Sequence, residues 1–252
     1  MSDLRASSVF LVAFAASAAF FTATDVSAGI VINTTRVVYP AARREVTINV
    51  RNDSATPSLV QSWLDAGDAN SKPGESAVPF VLTPPLFRLD PTKSQSLRLV
   101  YTQEPLPSDR ESLFWLNVLD VPPRAAANPE RPNQLEMAFK HRMKVFFRPP
   151  GLKGSAADAP AQLRWKQVIS EGKFVAIQAS NPTAYHVSLV RITVTVAGRP
   201  VIAKADMVGP LAGARFTLEA PASAPGAPVA VEYIFVNDYG GNVKATAIAS
   251  VP

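Results

Sequence analysis

Cysteine is absent, and histidine occurs only twice, as His141 and His186. Without thiols there is no disulfide staple, no thiolate nucleophile and no cysteine metal site. The two histidines fall in different halves of the chain and lack the spacing of a metal pair. His141 also shares the apolar parity of its strand, where a packed or interfacial imidazole outweighs a ligand. No Gly-Xaa-Ser-Xaa-Gly elbow, phosphate loop or GxGxxG follows a strand pattern. Stretches with helical periodicity and sequence-level repeats are missing too. An enzyme is therefore not expected, and neither is a cofactor or a metal.

Residues 9–21 (VFLVAFAASAAFF) form an apolar run too short for the roughly 20 residues that span a bilayer. Arg5 precedes this run and Val26-Ser27-Ala28 follows it. Residues 1–28 thus read as a secretory signal peptide cleaved before Gly29, with no membrane insertion afterwards. Cleavage removes Asp3, Arg5 and Asp25, leaving 24 basic against 18 acidic residues and moving the formal net charge from +5 to +6. Those cations are scattered through alternating patterns instead of forming a basic run with stacking aromatics, so nucleic acid is not an expected partner.

What the chain does contain is aliphatic sequence cut by 23 prolines, a β-rich composition. The centre of the pattern is residues 133–148 (NQLEMAFKHRMKVFFR). Leu135, Met137, Phe139, Met143, Val145 and Phe147 share one parity, broken only by His141. Glu136, Lys140, Arg142, Lys144 and Arg148 share the other. Side chains alternate across a strand, so this predicts one long strand with an apolar face and a mostly basic face. Such a stripe needs a cover.

Ahead of it, residues 29–39 read as one strand stopped by Pro40. Residues 45–52, 59–64, 93–102 and 111–121 read as further strands, with Trp63 a core residue. Residues 65–75 read as an exposed loop. Residues 78–89 (VPFVLTPPLFRL) carry three prolines and predict an edge strand with a switch or kink. Seven short strands with such punctuation fit an immunoglobulin-like sandwich. Residues 149–161 (PPGLKGSAADAPA) are the best domain boundary, after which strand rhythm resumes for a second sandwich. The expected division is 29–149, a linker over 150–160, and 161–252. In that second half residues 220–228 read as a loop, and Gly240-Gly241 as a hairpin turn.

A few charges stand alone in apolar strand sequence: Arg36 in NTTRVVY and Lys144 in HRMKVFF. Each can be an ordinary solvated strand residue, the reading that usually wins for an isolated charge. Glu111, Arg148 and Asp238 read equally well as unrelated surface groups, any exposed pair contributing only about 0–1 kcal/mol.

The wording of several segments goes further. SDRESLFWLNVLDVPPR (108–124), LEMAFKHRMKVFFRP (135–149), NTTRVVY, TPPLFRLDP (83–91) and FVNDYGG (235–241) occur in this order across nearly the whole mature chain. Together they resemble the periplasmic pilus-assembly chaperones of the chaperone–usher pathway. The resemblance implies an all-β protein of two immunoglobulin-like domains set at an angle around a cleft. It implies a non-enzymatic role in the periplasm, with pilus subunits and an outer-membrane usher as partners. Arg36 and Lys144 match the positions that anchor a subunit's C-terminal carboxylate. Leu135, Met137 and Phe139 match a strand lent to the subunit's incomplete sandwich, and Glu111, Arg148 and Asp238 match an inter-domain ionic cluster. The short 124–132 loop and short 29–36 lead resemble the short-loop subclass. Self-association of the free chain, which would cover its apolar stripe, stays open, as does a secreted two-domain adhesion or structural module. A β-sandwich hydrolase or metalloenzyme lacks a catalytic set.

Overall fold

The computed structural model describes residues 29–124, 136–223 and 225–252. The expected signal peptide and Leu135 lie outside the described residues. In chain order the first sandwich contains β1 (Ile30–Ile32), β2 (Arg36–Pro40), β3 (Val46–Asn52), β4 (Ser58–Asp65) and β5 (Phe80–Thr83). It continues with β6 (Leu86–Leu89), β7 (Ser94–Tyr101), β8 (Ser112–Val121) and β9 (Phe139–Arg148). One sheet runs β1-β3-β7-β5 and the other β2-β9-β8-β4-β6.

Residues 29–39 are two strands, where the sequence suggests one. β1 pairs with β3 in one sheet and β2 pairs in parallel with β9 in the other, the switch falling at Asn33-Thr34-Thr35. Switching sheets lets Ile30 and then Val37 and Tyr39 enter the same core from both sides. Residues 78–89 switch in the same manner, β5 pairing with β7 and β6 with β4, across Pro84-Pro85. Proline has no N–H for a ladder, so the crossing sits where no ladder bond is lost. These two switches raise the expected seven strands to nine among the described residues.

Leu97, Leu99, Leu116, Val118 and Val145 are fully buried between the sheets, with Tyr39 ringed by Phe80, Tyr101 and Phe147. Trp63 is buried, its Nε1 donating to Ser71 Oγ at 3.2 Å. The expectation of an exposed loop over 65–75 needs correcting, because Asp65 and Ser71 are buried. β9 also begins later than the alternation suggests. Residues 136–138 are described but belong to no strand, and the ladder starts at Phe139 opposite Asp120.

The second sandwich comprises β10 (Arg164–Ser170), β11 (Lys173–Ser180), β12 (Val187–Val196), β13 (Arg199–Ala203), β14 (Met207–Val208), β15 (Gly213–Ser223), β16 (Val229–Val236) and β17 (Asn242–Ser250). Its two halves join at their edges: β10 pairs β17 in parallel, and β13 bridges β12 and β15. Trp165, Phe174, Ile177, Ile192, Phe216 and Tyr233 fill its core. The loop expected over 220–228 starts later, since β15 continues to Ser223.

Nor is the proline-rich stretch before β10 a loose tether. Its end forms a 3-10 turn (Ala159–Gln162) with Ala159 and Pro160 buried. The Tyr233 hydroxyl donates to the Pro160 carbonyl at 2.8 Å, and the Tyr185 hydroxyl to that of Gly154 at 3.0 Å. Small and proline side chains let this backbone lie close to the second core. No helix among the described residues is long and apolar enough to cross a membrane.

Candidate functional site

Parity on β2 sends Val37 and Tyr39 into the core and turns Arg36 out. On β9 it turns Arg142, Lys144, Phe146 and Arg148 to that same outer face. The parallel ladder then places Arg36 directly opposite Lys144. Both reach toward the second sandwich. Arg36 Nη1 donates to the Val236 carbonyl on β16 at 3.0 Å, and Lys144 Nζ to Ser188 Oγ on β12 at 3.3 Å.

Arg36 Nε is buried with no hydrogen-bond partner among the described residues. Neither cation forms a salt bridge among those residues. Burial pushes the Arg36 guanidinium below its ordinary pKa, with Asp238 opposing. Burial likewise lowers the Lys144 ammonium, with Asp206 opposing and the Arg36 charge adding to the fall. Two partly desolvated cations thus stand side by side with no ion-pair partner among the described residues. A carboxylate is the group they suit: guanidinium offers a planar fork and ammonium a point charge.

One side of β9 continues past its partner. β8 pairs it from Phe139 to Phe147, but β2 pairs it only from Lys144 to Arg148. Among the described residues, the backbone from Phe139 to Met143 is therefore an open edge beside the cation pair. Met143, Val145 and Phe147 fill the core, while Phe139 and Met137 on the same parity are 53% and 52% exposed. The apolar register simply overruns the core. An open edge with exposed apolar side chains is a template for another strand.

Arg148, four residues beyond Lys144, joins the sandwiches. Its Nε donates to Glu111 Oε1 at 2.7 Å, and its Nη1 and Nη2 to the Asp238 carboxylate at 2.8 and 3.1 Å. Glu111, 3% exposed, also accepts the His186 backbone N–H at 2.8 Å, with His186 Nδ1 at 3.2 Å. Burial works against the Arg148 charge, but Asp238 and Glu111 outweigh it and hold the guanidinium well above its usual pKa. Glu111, Arg148 and Asp238 are thus one ion network spanning both domains. It borders an inter-domain cavity of about 300 Å³ lined by Arg36, Phe146, His186, Phe235 and Tyr239 among others.

The turn that carries Asp238 is closely fitted to the first domain. Asn237 Oδ1 accepts the backbone N–H of Tyr239 and of Gly241, and Gly240 has φ +86°. A Cβ on Gly240 would lie 2.5 Å from Thr35 Oγ1, one residue from Arg36. Gly172, at φ +74°, has nothing within 4 Å of its Cβ position. Gly240→Ala and Gly172→Ala should share a backbone penalty of about 1 kcal/mol. Only the first adds the clash, so thermal melting should fall further for it by at least about 2–4 °C, the shift of one extra kcal/mol. Equal shifts would mean that Thr35 yields freely.

Several participants carry no warning in the sequence. Ser188 and the Val236 carbonyl are ordinary strand groups until the second domain docks. His186 is visible as a rare residue, but nothing local links it to Glu111, 75 positions away. Trp115 sits under two cations, Arg142 at 4.0 Å and Lys144 at 5.5 Å from its ring. Asp65, which reads as the first residue of a loop, is buried beneath Arg142.

Comparison with known proteins bears on this geometry. Residues 29–153 match the family described as "Pili and flagellar-assembly chaperone, PapD N-terminal domain", and residues 158–247 match "Pili assembly chaperone PapD, C-terminal domain". The probable fimbrial chaperone YadV of Escherichia coli K12 is 38% identical over 222 residues, covering 87% of this chain and 89% of its own. The chaperone protein FimB/FhaD of Bordetella pertussis is 39% identical over 218 residues, covering 85% of each. The crystal structure of the YadV chaperone superimposes with a TM-score of 0.75 at 35% identity, covering 88% of this chain and all of that one, 100%. The SafB chaperone of Salmonella enterica, crystallised in complex with the SafA pilin, gives a TM-score of 0.70 at 31% identity over 90% of this chain and 98% of its own.

Proposed function

The chain belongs to the PapD-like family of pilus-assembly chaperones, which are not enzymes, and from that premise we propose that it captures pilus subunits in the periplasm by donor-strand complementation and delivers them to an outer-membrane usher. In this reading cleavage after Ala28 releases a subunit-binding domain over 29–149, a linker over 150–160 and a second domain over 161–252. The observation that carries it is an adjacency. A pair of cations lacking an anion, Arg36 and Lys144, stands at the end of an open, apolar strand edge.

The two features divide the work. Covering Met137 and Phe139 contributes about 1.5–3 kcal/mol for each side chain. Ladder bonds along Phe139–Met143 add to that, and association and ordering subtract several kcal/mol. Leu135 would extend the same apolar row by one more contact. The Arg36–Lys144 pair then fixes register on the subunit's terminal carboxylate, because a slip of one residue turns the whole apolar row away. The inter-domain network of Glu111, Arg148 and Asp238 holds the second domain where Val236 and Ser188 meet those cations. The small number of residues over 124–132 and over the 29–36 lead supports reading the chain as a short-loop chaperone, a subclass that mostly serves rod-like pili. Without a subunit, the same edge is open to a second copy of the chain.

The experiment is periplasmic co-purification with Met137→Glu and Phe139→Glu beside the unaltered chain. The unaltered chain should bring down a small pilin-like subunit in about one-to-one ratio, as one lent strand per subunit requires. Each carboxylate should reduce that recovery at least about tenfold, since a buried unpaired charge is strongly disfavoured. Melting should be unchanged, because both positions are exposed. Undiminished recovery in both variants would remove the strand-lending mechanism. Absence of any subunit would favour the secreted adhesion or structural module.

A further inference from the structure

The outer face of β9, behind the open edge, is tied to β4 and to the loop that follows it. Lys140, Arg142 and Lys144 occupy successive outward positions there, opposite Leu119, Asn117 and Trp115 on β8. Lys140 Nζ donates to the Ala69 carbonyl at 2.7 Å, in the loop after β4. Arg142 reaches across β8 to Asp65 at the end of β4, Nη2 donating to Oδ1 at 2.7 Å. The Asp65 side chain is 0% exposed. It also accepts Asn117 Nδ2 at 2.6 Å and the Gly67 N–H at 2.7 Å, which fixes the carboxylate between strand and loop. Burial disfavours the Asp65 carboxylate, but Arg142, Asn117 and Gly67 together outweigh it and hold the group below its ordinary pKa.

Trp115 lies beside this pair. The Arg142 guanidinium is 4.0 Å from its ring centre and the Lys144 ammonium 5.5 Å. An aromatic face attracts a cation and does so more strongly where water is thin. For Lys144 that attraction opposes the burial that drives the ammonium toward its neutral form. One chain of contacts therefore runs from β4 to the anchor: Asp65, Arg142, Trp115, Lys144. The ties to the end of β4, through Arg142, and to the loop after it, through Lys140, both come from the stretch of β9 that has no β2 partner.

We infer that Asp65 and Trp115 are positioning residues for subunit capture: they brace the open edge of β9 and hold Lys144 in register with it, so that strand addition and carboxylate capture occur in one alignment. This deepens the strand-lending reading and rests on it. The brace acts through rigidity, since each side chain fixed in advance is one fewer to order on binding.

The test uses the full chain with Asp65→Asn, Trp115→Phe and Trp115→Leu. Two quantities are read: amide hydrogen exchange over 139–148 in the free protein, and recovery of the subunit that co-purifies with the unaltered chain. Asp65→Asn should speed exchange over 139–143 by about tenfold, the effect of losing one charge-assisted bond. Exchange in β3 and β7 of the opposite sheet should not move. Recovery should fall by a similar factor. Trp115→Phe keeps an aromatic face and should stay within about threefold of the unaltered chain, whereas Trp115→Leu should lose about tenfold.

A merely structural role predicts a different pattern, with faster exchange throughout the first sandwich and no distinction between Phe and Leu at position 115. That pattern, or unchanged exchange over 139–143 in Asp65→Asn, overturns the inference. Unchanged recovery in both Asp65→Asn and Trp115→Leu overturns it as well. Failure of the underlying reading looks different: recovery then survives Arg36→Ala, or no subunit is recovered at all, while the exchange result in the free protein still judges the brace by itself.

Discussion

Arg36→Ala and Lys144→Ala should each abolish stable capture of a pilus subunit while leaving the chain folded. Truncating one member of a close, partly buried charge pairing typically removes about 2–5 kcal/mol of binding, roughly 30-fold to several thousand-fold in affinity. The folded chain should not suffer equally. Burial depresses the pKa of both cations, so the free protein bears them at a disadvantage in the absence of an anion. Removing that disadvantage should leave melting unchanged or slightly raised, the reverse of what a core substitution does. Capture should also decline on the alkaline side. Lys144 binds a carboxylate only when charged, and its charge is lost as pH rises through a pKa below that of an ordinary lysine. In Lys144→Arg, where the side chain stays charged, that decline should shift to higher pH. Recovery and melting measured across an alkaline series check all three statements; undiminished capture in both Ala variants would sink the anchor.

Local alternation carried much of this into the sequence. Parity alone puts Lys144 and Arg148 on the outward side of their strand and Met143, Val145 and Phe147 on the inward side, and the structure has them there; Arg36 turns outward only because residues 29–39 break into two strands. Wording resembling a known family adds roles that parity does not contain. What neither supplies is pairing between distant strands. Arg36 and Lys144 face each other only because β2 runs parallel to β9, across more than a hundred residues. Asp65 looks like the start of a polar loop because its neighbours Gly67, Asp68 and Asn70 are loop formers, yet Arg142 from β9 and Asn117 from β8 bury it. The two sheet switches were legible to different degrees for a physical reason. Pro84-Pro85 cannot continue a ladder and announces its break, whereas Asn33-Thr34-Thr35 could sit in a strand and does not.

Function and stability are kept apart in the first sandwich. The buried aromatic and aliphatic core lies at one end of β8 and β9, and the unpaired edge, the exposed Phe139 and Met137, and the anion-free cations lie beyond it or outside it. A chaperone that must bind and release needs those groups unsatisfied in the free state. Inside the sandwich, by contrast, the buried Asn52 side chain is held by the chain itself, donating to the carbonyls of Thr56 and Leu89.

Arg148→Ala should be the most destabilising single change in the inter-domain joint. The Glu111 side chain, 2% exposed, would keep its charge with only the His186 backbone N–H and imidazole to answer it. Breaking a buried pair from one side generally costs about 3–5 kcal/mol. At about 2–4 °C per kcal/mol for a chain of this size, melting should fall by roughly 6–20 °C. Because His186 and Asp238 belong to the second sandwich, that loss should also separate one transition into two. Adding Glu111→Gln should recover much of the stability, since an amide keeps an acceptor for the His186 N–H and carries no charge to strand. A double-mutant cycle between the two positions should therefore show a coupling of at least about 1.5 kcal/mol. Asp238 is different. Its side chain is 34% exposed, so Asp238→Asn should cost no more than about 1 kcal/mol. Its larger effect should be on capture, because Asp238 orients the turn beside Val236, whose carbonyl holds Arg36. If Arg148→Ala melts like the unaltered chain, or the cycle shows no coupling, the joint owes its order to apolar contact such as Phe146 against His186 and not to the ion network.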